Sequence, residues 1–173
     1  MTERNTVNLI VNGRPVSEPV STRLLLVDFL HEQLDLTGTK ATCHIGLCKV
    51  CTVATRAVGG KQYERTQACI TPVVTLNQHE VVTVEGLTNN GKLSLLQQTF
   101  LSEFAFQCGY CTPGFLMGAV VLMDTLKHEP IEPDQLDEFI ETHLGDHICR
   151  CTGYTNYYKA IKKVVLATPG LTT

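Results

Sequence analysis

The chain has 173 residues, 43% apolar and 18% charged, with a formal net charge of −3. This composition suits a globular fold, and it lacks the basic excess that nucleic-acid binding needs. The apolar run from Gly114 to Met123 is about half a membrane span, and no apolar leader follows Met-Thr-Glu-Arg-Asn, so a cytoplasmic location without direct membrane insertion is expected, or export on the signal of a partner.

Alternation dominates the first half. Val7, Leu9 and Val11 share one face of a predicted strand, Asn12-Gly13 is a hairpin turn, and a return strand follows over Arg14 to Glu18. Ser21 or Thr22 is placed to cap a helix whose apolar stripe is Leu24, Leu25, Val27, Leu30 and Leu34. From Gly38 to Lys49 no period is visible. Val50 to Thr55 read as a strand, Gly59-Gly60 as a turn, Gln67 to Ile70 as a returning segment, and Val81 to Glu85 as the last strand. This order predicts a small α+β unit of β-grasp type.

The second half changes to a helical period. Helices are predicted over Leu93 to Phe106, Phe115 to Leu126, Glu132 to Leu144, and around Tyr157, Ile161, Val164 and Val165. Four helices without strands imply a four-helix bundle. The polar, turn-rich stretch Thr88-Asn89-Asn90-Gly91 separates the halves, giving expected domains of 1–86 and 87–173.

Eight cysteines form two quartets. Cys43, Cys48, Cys51 and Cys69 read C-x4-C-x2-C with a distant fourth, the plant-type ferredoxin spacing for a [2Fe–2S] cluster. Cys108, Cys111, Cys149 and Cys151 read C-x2-C followed at a distance by C-x-C, a spacing that zinc also accepts. A disulfide framework is the further alternative for an even cysteine count, and a reducing compartment opposes it. A Rieske centre needs paired histidine ligands that the chain lacks, so the six histidines are expected to be solvated surface groups. Thr112 before Pro113 is placed to cap one helix and Thr152 another, so that two helix N-termini would face one anionic group.

Gln107-Cys108-Gly109-Tyr110-Cys111-Thr112-Pro113-Gly114 and Cys149-Arg150-Cys151-Thr152-Gly153-Tyr154 resemble the iron–sulfur subunits of the xanthine dehydrogenase and aldehyde oxidoreductase family of molybdenum hydroxylases. The resemblance covers nearly the whole chain. It implies a ferredoxin-like [2Fe–2S] domain followed by a helical [2Fe–2S]-binding domain. It also implies a large molybdopterin-binding partner, and an acceptor subunit carrying flavin (FAD) or, as a cytochrome, haem. In that family the residues matching Gln107 and Cys151 approach the pterin. The cluster on the second quartet would take electrons first, and that on the first quartet would pass them outward.

Departures from the family pattern fall at Thr42, Lys49 and Val50 in the first cysteine loop, and at Asp146-His147 before the C-x-C of the second quartet. Lys49 either adds positive charge beside the first cluster, favouring its reduced form, or is a solvated lysine pointing away. No nucleophile–base pair or phosphate-cradling glycine loop appears, so no substrate chemistry and no catalytic residue is expected in this chain. The expectation is the electron-transfer subunit of a hydroxylase or dehydrogenase acting on aldehydes, purines or other N-heterocycles. The alternatives are a free-standing [2Fe–2S] carrier and a zinc-stabilised interaction protein.

Overall fold

The computed structural model describes residues 4–173. A five-stranded sheet in the order β2-β1-β5-β3-β4 is built from β1 (Arg4–Val11), β2 (Arg14–Ser21), β3 (Thr52–Ala57), β4 (Glu64–Gln67) and β5 (His79–Val82). Strands β1 and β2 form the predicted hairpin, with Val11 opposite Arg14. Asn12 (φ 50°) and Gly13 (φ 77°) both take the left-handed conformation that a two-residue hairpin turn requires. The central pair, β1 and β5, is parallel, and β3 runs antiparallel to both of its neighbours.

One face of the sheet is covered by a short helical segment, α1 (Leu26–Asp28), that continues as a π turn over Phe29–Gln33. Leu26, Phe29 and Leu30 are fully buried there with Val7, Leu9, Val53 and Val81. This helix starts later than expected. Neither Ser21 nor Thr22 caps it; Leu25 holds the N-cap position without a side-chain bond. The Leu26 and Val27 amides donate instead to the Thr71 and Ala68 carbonyls, so tertiary contacts replace the cap.

The last strand also stops early, at Val82, and the chain turns through a 3-10 segment at Val84–Leu87. Four helices follow: α2 (Leu95–Ser102), α3 (Thr112–His128), α4 (Leu136–Leu144) and α5 (Thr155–Ala167). Helix α2 is shorter than predicted. A reciprocal capping box between Ser94 and Gln97 starts it, an S-x-x-Q signal legible in the sequence but missed.

The apolar core of the helices includes Phe100, Phe115, Leu122, Leu126, Ile140, Leu144, Tyr157 and Ile161. Helix α3 also packs on the second face of the sheet, where Ala54 meets Met117 and Val121. Strand β3 is therefore buried on both sides, Val53 toward α1 and Ala54 toward α3. Among the described residues no helix is long and apolar enough to cross a membrane.

Candidate metal centres

The first quartet gathers at the open end of the sheet. Cys51 closes the loop just before β3, and Cys69 follows β4, so the hydrogen-bonded strand pair brings them together: the Cys69 amide donates to Cys51 Sγ at 3.4 Å. The Cys48 amide donates to Cys43 Sγ at 3.5 Å. Cys51 and Cys69 are each 1% exposed, whereas Cys43 is only partly covered.

These environments pull the thiols apart in acidity. Burial pushes Cys51 up to about 12 and also raises Cys48. The Cys48 and Ile45 amides bring Cys43 down to about 6. Amides aimed at sulfur are the donors that a thiolate needs. On the solvent side the same loop carries exposed Ile45 and Leu47.

His44 (φ 51°) and Lys49 (φ 58°) hold left-handed conformations without being glycine. The Lys49 ammonium lies 3.8 Å from Asp146, which Arg65 contacts at 2.8 Å. Lys49 thus reaches across to the helical half; it is not the solvated lysine pointing away.

The second quartet forms where the N-termini of α3 and α5 meet. Cys111 is itself the N-cap residue of α3, so Thr112 is the first helical residue and not its cap. The Thr112 hydroxyl instead bonds Tyr157 Oη at 2.8 Å, and Tyr157 Oη lies 3.4 Å from Cys111 Sγ. Thr152 does not cap α5 either: that helix begins three residues later, after Tyr154 in a left-handed conformation. Thr152 donates its hydroxyl to Cys149 Sγ at 3.1 Å. The Cys149 amide donates to Tyr154 Oη at 3.2 Å.

Burial raises the Cys111 thiol to about 11. Burial acts the same way on Cys149, but the Thr152 hydroxyl and the Thr152 and Cys151 amides outweigh it and leave that thiol below its ordinary value. Cys108 and Cys151 are exposed, with their sulfurs 3.7 Å apart, and Gln107 beside them is exposed as well.

The histidine expectation fails at one position. His147 is 2% exposed, and burial lowers it to about 4, so the ring is neutral; its Nε2–H faces the Gly114 carbonyl at 3.2 Å. The two cysteine loops touch through the Ile148 amide, which donates to the Cys48 carbonyl at 3.0 Å. Tyr154 and Tyr157 were not singled out from the sequence as parts of the site, because nothing in the cysteine spacing reports a hydroxyl delivered from the next helix.

Among the described residues no three His, Cys, Asp or Glu side chains close around a single-ion position. The thiol side chains come two by two: Cys43 with Cys48, Cys51 with Cys69, Cys108 with Cys151, and Cys111 with Cys149. Two pairs per quartet match a dinuclear group, in which each iron takes two thiolates. A lone tetrahedral ion needs all four sulfurs equally close. By donor type and pairing, both sites fit a [2Fe–2S] cluster.

Residues 83–162 match the family described as [2Fe-2S] binding domain. The chain is 36% identical over 160 residues to caffeine dehydrogenase subunit gamma of Pseudomonas sp. (strain CBB1), covering 92% of this chain and 90% of that protein. It is also 36% identical over 160 residues to the nicotinate dehydrogenase small FeS subunit of Eubacterium barkeri, covering 92% and 94%. Among solved structures, quinoline 2-oxidoreductase of Pseudomonas putida 86 superposes with a TM-score of 0.78 at 33% identity, over 97% of this chain and 93% of that one. The chain belongs to the iron–sulfur small subunits of the molybdenum hydroxylases, the family of xanthine dehydrogenase and aldehyde oxidoreductase.

Proposed function

We propose that this chain is the electron-relay subunit of a molybdenum hydroxylase complex, with one [2Fe–2S] cluster on Cys43, Cys48, Cys51 and Cys69 and another on Cys108, Cys111, Cys149 and Cys151. When bound, each cluster supplies a one-electron station. The protein's part is to fix their separation, shield them from water and direct N–H and O–H groups at their sulfurs. In this reading the β-grasp portion to Gly86 carries the outward station and the helical portion from Leu87 carries the inward one.

The observation that carries the proposal is the uneven exposure of the second quartet. Cys111 and Cys149 are buried, while Cys108, Cys151 and Gln107 lie open beside exposed Phe104 and Tyr110. An apolar rim around a redox edge fits a covering partner, here the large molybdopterin-binding subunit, with Gln107 and Cys151 turned toward the pterin. The exposed Ile45 and Leu47 rim suits a flavin or cytochrome acceptor at the other end. The Ile148–Cys48 hydrogen bond joins the two stations. Oxidation of an aldehyde or hydroxylation of an N-heterocycle takes place in the partner, in a cytoplasmic complex.

Co-purification and EPR test this reading. The native complex should contain a much larger molybdenum-bearing chain, about four irons per copy of this chain, and two distinct reduced [2Fe–2S] signals. A colourless, zinc-loaded or solitary protein would refute it.

A further inference from the structure

Among the described residues, Tyr157 is the one large polar side chain sealed inside the helical core beside a cysteine sulfur. It is 0% exposed, stacked on Phe115 with ring centroids 4.1 Å apart and planes 8° from parallel, and tilted against Phe100 at 5.6 Å. Those contacts fix the ring, and hence the direction in which its hydroxyl points. That hydroxyl has two neighbours: Thr112 Oγ1 at 2.8 Å and Cys111 Sγ at 3.4 Å.

Each hydroxyl has one proton to give. A thiolate can only accept, and a buried thiolate without a donor is costly. The arrangement that satisfies all three groups runs in one direction: Thr112 donates to Tyr157, and Tyr157 donates to Cys111. Hydrogen bonds in such a chain polarise one another, so the last of them, on sulfur, is strengthened.

We infer that Tyr157 is a potential-setting residue: its hydroxyl, aligned by Thr112, hydrogen-bonds the Cys111 thiolate and raises the reduction potential of the cluster on the second quartet. The inference rests on the cluster assignment proposed above and deepens it. Reduction adds one negative charge to an already anionic group, and a donor aimed at its sulfur stabilises the more negative state more strongly. Cys149, the other buried sulfur, has a hydroxyl donor of its own in Thr152. The inner half of the site therefore receives two O–H bonds, one from each side. The ring supports the α3–α5 packing by its stacking, whereas the hydroxyl contributes little to packing and acts on sulfur.

Potentiometric titration of the intact complex, followed by EPR, separates these roles. Tyr157→Phe keeps the ring and removes the donor. It should lower one of the two midpoint potentials by about a tenfold change in the reduction equilibrium, or about 59 mV for one electron, and leave the other unchanged. Thr112→Val removes the aligning group and should lower the same potential by a smaller amount. A rise in Thr112→Val would mean that Tyr157 had been donating to Thr112, and would overturn the inference. So would a Tyr157→Phe complex with both potentials unmoved. If Tyr157→Phe does not retain its clusters, the sign of the Thr112→Val shift decides. Wild-type protein without two [2Fe–2S] signals defeats the relay reading itself, a result distinct from signals that are present but insensitive to Tyr157.

Discussion

At the scale of single residues, Lys49 carries both a cost and a charge. A non-glycine residue at φ 58° is strained by about 1 kcal/mol. Its side chain is held toward Asp146, which Arg65 also engages. Lys49→Gly relieves the strain and removes a cation adjacent to Cys48. A partly exposed cation of this kind acts on a neighbouring anionic group by up to about 1 kcal/mol. The first-station potential should therefore fall by at most about 40 mV in a redox titration, while the melting temperature changes little. An unchanged or raised potential would show that Asp146 already cancels the lysine's effect. The gathering of the eight cysteines into two groups was legible because their spacing is written in the chain itself. Tyr157, His147 and Thr112 were not, because their roles depend on which other helix or loop arrives next to them.

At the scale of elements, the fit of α3 against the first cysteine loop depends on having no side chain at Gly114. A Cβ there would lie 2.6 Å from the Val50 carbonyl oxygen and 2.7 Å from that of Lys49. Both obstacles are backbone, so neither can swing aside. Gly118, one turn later, is similarly crowded by Leu144 and His147. Gly114 lets the helix approach the loop that carries Cys48 and Cys51, and Gly118 lets it approach Leu144 at the end of α4 and His147 beyond it. Gly114→Ala should cost about 1–3 kcal/mol by overpacking, seen as a melting temperature lower by about 2–12 °C. Wild-type stability in that variant would mean that the interface is looser than drawn.

Element boundaries follow the same logic. The β1–β2 hairpin is local, so Asn12-Gly13 announced it. The true start of α1 depends on carbonyls of Ala68 and Thr71, some forty residues distant, and no local reading finds it.

At the scale of the whole molecule, the cysteines belong to the cores and not only to the surface loops. Cys51 and Cys69 are part of the apolar cluster under the sheet, and Cys48, Cys111 and Cys149 are part of the helical one. Iron ligation by these cysteines, as proposed, would therefore contribute to the folding free energy of both. Stripping the iron should lower the melting temperature by about 10 °C or more, at about 2–4 °C per kcal/mol, with a matching loss of near-UV circular dichroism. Iron-free protein as stable as the holo form would contradict that linkage. Hydrogen bonds from Tyr63 to Asp124, from Tyr110 to the Ala41 carbonyl and from Ile148 to the Cys48 carbonyl tie sheet and helices together. The composition could announce a sheet half and a helix half, but not these ties, each of which joins positions 61 or more apart or two loops without a period.

The way the second quartet encloses α3 and α4 sets an order on biogenesis. The Cys111–Cys149 and Cys108–Cys151 pairs meet only when the intervening hairpin of helices has folded back on itself. During synthesis the first quartet is complete once residue 69 has left the ribosome, whereas the second stays incomplete until residues 149 and 151 have emerged.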